Sequence, residues 1–213
     1  MQSMTQVPRF EKITARWLDA AAGVFRAVDP AAVAQAADAL CQVRVRGGVI
    51  YTAGNGGSAG TASHLALDLQ KAARSPGGAG TRAVCLSDSV GLITAWGNDT
   101  AFDRVFAEQL DVLGQPGDGL VVVSVSGSSP NLIALLEVAR AREIVSVGLL
   151  GRDGGRARAL VDVPVVVPSD DYGWVESAHV VVHHVLTYAL RDFAEQEPIS
   201  DAVLTFGLRA PSA

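Results

Sequence analysis

The chain is sparing with the residues that usually announce chemistry or compartment: 2 cysteines, 4 histidines and 6% aromatics in 213 residues. Cys41 and Cys85 both sit in apolar segments and do not form a metal-ligand pair. They read as small buried thiols in a reducing compartment, which excludes a disulfide framework. Charge is thin as well, at 18% of residues with a net −5 and a pI near 5.3. That balance excludes the basic face of a general nucleic-acid binder. No apolar run reaches the roughly 20 residues of a membrane span. The opening stretch MQSMTQVPRFEKITARW lacks the apolar core of a signal peptide. The expectation is a cytoplasmic protein with neither a nucleic-acid nor a membrane partner. Internal repeats and linkers are also missing, so a single domain is expected over 1–213, with an N-terminal helical region (1–46), an α/β core (48–194) and a tail (195–213).

What is there begins with Val49-Ile50-Tyr51-Thr52-Ala53-Gly54-Asn55-Gly56-Gly57-Ser58-Ala59. A short apolar, partly β-branched run ends in Gly, Asn and Ser, and an alanine-rich stretch with helical spacing follows. This is a strand, a tight turn and a helix start, where backbone N–H groups can meet an anion. Gly54, Gly56 and Gly57 permit the close backbone approach, and Ser58 would stand at or near the N-cap. An unliganded βα turn has the same outline, and neither a P-loop lysine nor dinucleotide-fingerprint spacing is present.

Before this stretch, Phe10, Ile13, Trp17, Ala20, Ala21, Val24 and Phe25 mark an amphipathic helix over 9–28. Asp29-Pro30 then reads as an N-cap and first helical position opening a second helix to about Arg46. These helices would cap a sheet edge or pack on another subunit. After Gly48, strands are expected at 49–53, 83–86, 120–125, 144–149 and 163–167, and helices near 57–73, 89–96, 101–112, 129–142, 154–160 and 172–194. Several strands read as continuous Val/Ile/Leu, the pattern of parallel strands buried on both faces. The alternation implies an α/β, doubly wound (flavodoxin-like) five-stranded parallel sheet flanked by helices, with ligands outside the carboxyl ends of its strands. In the tail, Val203-Leu204-Thr205-Phe206 is an apolar patch suited to docking on a neighbour.

A second cluster, Ser124-Val125-Ser126-Gly127-Ser128-Ser129-Pro130-Asn131, falls between the third strand and its helix. Serine hydroxyls and free N–H groups at a helix start suit a phosphate, though such residues also cap helices. Two clusters at parallel strand ends point to a phosphorylated ligand. His64 and Asp68 share one helix face at i, i+4, as a metal pair, an acid–base pair or an ordinary surface pair. The late helix holds Glu176, His179, His183 and His184 among Val, Ala and Leu, where polar groups are costly without partners. Periodicity alone pairs Glu176 with His183, since seven residues nearly complete two turns. Asp88 follows the second strand. Asn98 and Asp99, after Gly97, could touch a ligand or simply cap a helix near Phe102.

In combination, GNGGSA, SHLALDLQ, LSDSVGLITAWGND, SVSGSSPN, LLGRDGGRARAL and ESAHVVVHHVL resemble the sugar isomerase (SIS) domain family, and most of all its phosphoheptose isomerases. The resemblance runs from about Val49 to Leu190. It implies conversion of sedoheptulose 7-phosphate to D-glycero-D-manno-heptose 7-phosphate through an enediol, in a homotetramer. It implies a Zn²⁺ site of His64, Asp68, Glu176 and His184, with Asp68 as base and His184 as acid. The family's eight-residue spacing selects His184 over His183. It further implies sugar-phosphate contacts from Asn55, Gly56, Ser58, Asp88, Asn98, Asp99, Ser124, Ser126, Ser129 and Glu176. Four positions depart from the family's habit. Asp68 stands for glutamate, Glu176 for glutamine, Val125 for threonine and Gly173 for aspartate. Lost polar groups at Val125 and Gly173 leave room for a different sugar phosphate, including one destined for a specialised metabolite. The family also contains non-catalytic tetramers that bind the replication initiator, although such a binder has no need of all four metal-site residues.

Overall fold

Unbroken Val/Leu runs form the middle of the sheet, as expected of strands covered on both faces. In the computed structural model, which describes residues 7–74 and 80–195, these are β1 (Ile50–Gly54), β2 (Ala83–Cys85), β3 (Gly119–Ser124), β4 (Val145–Gly151) and β5 (Val163–Val167). Every pairing is parallel, and the order is β2-β1-β3-β4-β5. The helices are α1 (Val7–Arg26), α2 (Pro30–Val45), α3 (Gly57–Lys71), α4 (Val90–Asp99), α5 (Ala107–Leu113), α6 (Pro130–Ala141) and α7 (Tyr172–Glu195). Strand side chains alternate between the two faces. On one face Val121 and Val123 pack with Leu40, Leu65, Leu69 and Leu186 of α2, α3 and α7. On the other, Leu120 and Val122 pack with Leu110, Leu132 and Leu135 of α5 and α6.

The expected Asp29-Pro30 start holds in detail: the Ala31 N–H donates to Asp29 Oδ1 at 2.8 Å, and Pro30 opens α2. Other expectations shift. Ser58 is not a cap; Gly56, at φ +55°, holds that position and Ser58 lies buried in the first turn of α3. The helix expected over 101–112 is a short 3-10 turn, Phe102–Arg104, followed by α5. Ala101 is extended at φ −162°, and Val105 and Phe106 turn into the core between the two pieces. The stretch 154–160 makes only a 3-10 turn, Arg156–Ala159, because Gly154 and Gly155 before it take φ +93° and +53°. Gly97 does not end α4, which runs on through Asn98 to Asp99.

α1 forms as its periodicity predicts, but Phe10, Ile13, Trp17 and Leu18 stay exposed and only Ala21 is buried. Near its end, Phe25 joins Val33, Ala178, Val182 and Val185 around an apolar cavity of about 520 Å³ between α2 and α7. Among the described residues, no helix is long and apolar enough to cross a membrane. The Val203–Phe206 patch lies outside the described residues.

The strand order reverses between β1 and β3. In open α/β sheets the crevice at such a reversal, beyond the carboxyl ends of the strands, is where a ligand sits.

Candidate active site

Each of the two strands at this reversal runs straight into a helix. After β1, Gly56 turns the chain into α3. After β3, the serine loop leads to Ser129, whose extended backbone (φ −63°, ψ 123°) begins α6 at Pro130. Both helix starts therefore turn positive dipole ends toward one crevice. The two loops are tied by a reciprocal amide pair: Asn55 Nδ2 donates to Asn131 Oδ1 and Asn131 Nδ2 to Asn55 Oδ1, each at 2.9 Å. The sequence shows Asn131 only as part of the serine loop; nothing in its spacing reveals Asn55 as its partner.

The serine loop is held by its own hydroxyls. Ser124 Oγ accepts from the Gly127 N–H at 3.0 Å, and Ser126 Oγ from the Ser128 N–H at 3.3 Å. A hydroxyl that accepts still has its proton to give, so both remain donors toward an anion. The Ser129 hydroxyl makes no capping bond. Gly127, at φ +58°, fits against Gly154 and Gly155 of the loop after β4, so closely that a methyl there would strike the Gly154 carbonyl. The Ala157 N–H donates to the Gly127 carbonyl at 2.8 Å, clamping the loops together. The resulting cavity of about 130 Å³ is lined by Asn55, Ser58, Ser124, Ser126, Ser129 and Glu176, with Tyr172 at its edge. Tyr172 is an addition to the sequence-derived set, and Arg152 stacks over its ring at 5.5 Å.

Farther along α3 and α7 lies a second group. Asp68 Oδ2 is 3.4 Å from His64 Nε2, 3.7 Å from His184 Nε2 and 3.8 Å from His183 Nδ1. One ligand atom from each of these four residues lies within 4.8 Å of the others. Glu176 is not in this group. Its carboxylate lies against Gly57, where an added Cβ would collide with it. The cause is helical geometry: α3 and α7 run side by side with Gly57 opposite Glu176 and His64 opposite His183, so Glu176 sits two turns, or about 11 Å, before the histidine pair. Asp88, Asn98 and Asp99 do not line the cavity. All three are exposed; Asp88 accepts from Ser63 Oγ at 3.1 Å, and Asn98 Nδ2 donates to Asp99 Oδ1 at 2.9 Å.

Burial sets the electrostatics of α7. His183 is fully buried, and desolvation, reinforced by neighbouring His184 and His64, pulls it down to about 3. Neither of its ring nitrogens has a hydrogen-bond partner among the described residues. His179 is likewise buried, with no close hydrogen bond among the described residues; desolvation lowers it to about 4, and the nearby Leu150 backbone opposes this only in part. The arrangement offers an anion cradle of hydroxyls and helix starts, and beside it a carboxylate ringed by imidazoles. Imidazole and carboxylate together are a set that Zn²⁺ accepts.

Residues 16–151 match the SIS domain family. A phosphoheptose isomerase of Trichlorobacter lovleyi is 40% identical over 156 residues, covering 73% of this chain and 79% of that protein. Among solved structures, a phosphoheptose isomerase from Francisella tularensis superposes with a TM-score of 0.77 at 30% identity, covering 88% of this chain and 98% of that one. One from Neisseria gonorrhoeae gives 0.76 at 31%, covering 84% and 97%. With this sheet order, these loops and these relatives, the chain belongs to the SIS domain family, in company with its phosphoheptose isomerases.

Proposed function

We propose that the chain is a phosphoheptose isomerase, converting sedoheptulose 7-phosphate to D-glycero-D-manno-heptose 7-phosphate through an enediol. One observation carries the reading: a hydroxyl-lined anion cradle and a carboxylate–imidazole group lie along the same pair of packed helices, α3 and α7. Ser124, Ser126 and Ser129, with the positive dipole end of α6, would hold the phosphate. Asn55 and Ser58 would meet the sugar. Aldose–ketose exchange moves one proton between neighbouring carbons and another between their oxygens. Asp68 would take the C1 proton of the ketose and return it to C2. Half-exposed His184 would carry the proton between O1 and O2.

The donors present fit a zinc ion. Asp68 is surrounded by imidazole nitrogens, and those of His183 are orphaned in the interior. His64, Asp68 and His184 would hold Zn²⁺, which when bound supplies positive charge to polarise the substrate carbonyl. Asp88, Asn98 and Asp99 would contribute only at the far, open side of the substrate, since they are exposed. The exposed apolar stripe of α1 and the cavity between α2 and α7 support covering by further copies, and we take the working form to be a homotetramer. The described elements pack as one unit, α2 lying against both α7 and β5, which supports a single domain. Two free, buried thiols suit the reducing cytoplasm.

The test is to incubate zinc-loaded protein with sedoheptulose 7-phosphate and follow the aldose product by NMR. Asp68→Asn should lower kcat by about 10² to 10⁴-fold while leaving the fold intact. A folded, metal-loaded chain without turnover would overturn the assignment.

A further inference from the structure

α7 carries a second face. At about 100° per residue, Val181, Val185 and Tyr188 fall roughly opposite Glu176 and His183, and they are 44%, 47% and 43% exposed. With Val33 and Ala37 of α2, Val181 and Val185 line an apolar groove of about 520 Å³. We propose that the segment Val203-Leu204-Thr205-Phe206 of this chain's own tail seats in that groove as an intramolecular ligand. The inference goes beyond the isomerase reading and does not rest on it.

Three observations carry it. The first is the chemistry of the groove. Every residue lining it is Ala, Val, Pro or Phe, so it offers nothing to a phosphate, a sugar or a metal. A contiguous apolar surface of this kind marks a contact site. The second is the composition of the tail. Ala202 to Leu208 is a run of seven residues without a charge, bounded by Asp201 and Arg209. The third is reach. α7 forms one wall of the groove and runs on to Glu195. Along a helix, Val185 lies about 15 Å before that end and Val181 about 21 Å. Val203 follows Glu195 by eight residues, which span up to about 26 Å, enough to come back over both. Pro198 stands between them, at a position where a helix is interrupted and the chain free to turn.

The tether decides the occupant. A segment joined to a wall of its own groove meets it at an effective concentration of about a millimolar, and a free partner has to compete against that. Filling and covering are compatible, since a neighbouring copy would then lie over a groove already filled. Seated, Leu204 and Phe206 add apolar contacts between α2 and α7, and so brace the helix whose opposite face bears His183.

The full chain can be tested by cross-linking, because a disulfide needs Cα atoms within about 7 Å and the native thiols, Cys41 and Cys85, are buried. Val185→Cys with Leu204→Cys, oxidised with copper phenanthroline, should give a disulfide within one chain, read by peptide mass. Gln35→Cys with Leu204→Cys should stay at background, since Gln35 is exposed on α2 but does not line the groove. Equal linking of the two pairs, or linking only between chains, would overturn the proposal. Competition gives the second readout, using a fluorescent synthetic peptide of residues 198–209. It should bind the full-length Leu204→Asp/Phe206→Asp variant at least about tenfold more tightly than the wild type, whose own segment competes from about a millimolar. Equal affinities, or binding to neither protein, would refute a tethered occupant. Neither readout involves turnover, so failure here leaves the isomerase assignment standing, and failure of that assignment leaves the groove and its segment untouched.

Discussion

His179 makes the acid limit of this fold calculable. Its ring is 1% exposed on the inner face of α7, and burial lowers it from 6.5 to about 4. An imidazole with a lowered folded value is neutral in the native state over a range where the unfolded chain binds a proton. Unfolding therefore takes up protons below about pH 6.5, and stability rises with pH. The contribution is complete above the unfolded value and disappears as pH falls from 6.5 toward 4. A full shift of two and a half units corresponds to about 3.4 kcal/mol. Between about pH 7.5 and pH 5 the linkage relation gives a loss of about 2 kcal/mol from this one group.

The assay is urea unfolding of metal-stripped protein at fixed concentration across that interval, for the wild type and for His179→Leu. Fixed concentration keeps any self-association constant, and metal removal keeps ligation of the other histidines out of the difference. Buried His183 titrates in both proteins and cancels. The wild type should lose about 2 kcal/mol more than the variant on acidification to about pH 5. Parallel curves, agreeing within about 0.5 kcal/mol, would show that His179 is hydrated or hydrogen-bonded in solution and that the argument from burial fails.

Two further expectations follow from local geometry. Gly127→Ala forces a side chain into φ +58° and against the Gly154 carbonyl, so it should lower stability by at least about 2 kcal/mol in chemical denaturation and raise KM for the sugar phosphate; unchanged stability would mean the two loops are not interlocked. Cys41 and Cys85 are buried, and desolvation first, with Asp38 second, pushes Cys41 up to about 11, while desolvation also raises Cys85. Neither should react with Ellman's reagent near neutral pH until denaturant is added, since the thiolate is the reactive form; prompt labelling of the native protein would contradict their burial.

Much of the fold was legible in the chain because it is written in local terms. Leu120, Val121, Val122 and Val123 carry no alternation, so they had to be covered on both sides, and they are. Asp29-Pro30 specifies a helix start with a capping oxygen and a missing N–H at a position that has no use for one. The breaks around Ala101 and Gly154-Gly155 were harder. There the core claims Val105 and Phe106, and paired positive φ angles stop an α-helix, effects that depend on neighbours distant in sequence. The stripe on α1 was equally plain, yet a stripe shows only that a helix has an apolar side, and most of this one finds no cover among the described residues.

The site divided along the same line. That His64 and Asp68 face one way follows from four residues being about one turn, and their atoms lie 3.4 Å apart. Which histidine of α7 completes the group does not follow from periodicity, because His183 and His184 point about 100° apart and only one can match Glu176 in azimuth. Azimuth was not the deciding variable. α3 and α7 are packed side by side, so distance along the axis separates Gly57 with Glu176 from His64 with His183. Asp68 reaches across the contact far enough to touch both adjacent histidines. At one end of that register the carboxylate of Glu176 meets a residue without a Cβ, a contact between positions 119 apart. A sequence read one helix at a time carries no trace of it, which is why the fold could be drawn from the chain while the placing of Glu176 at the serine-loop cavity and of the two histidines beside Asp68 could not.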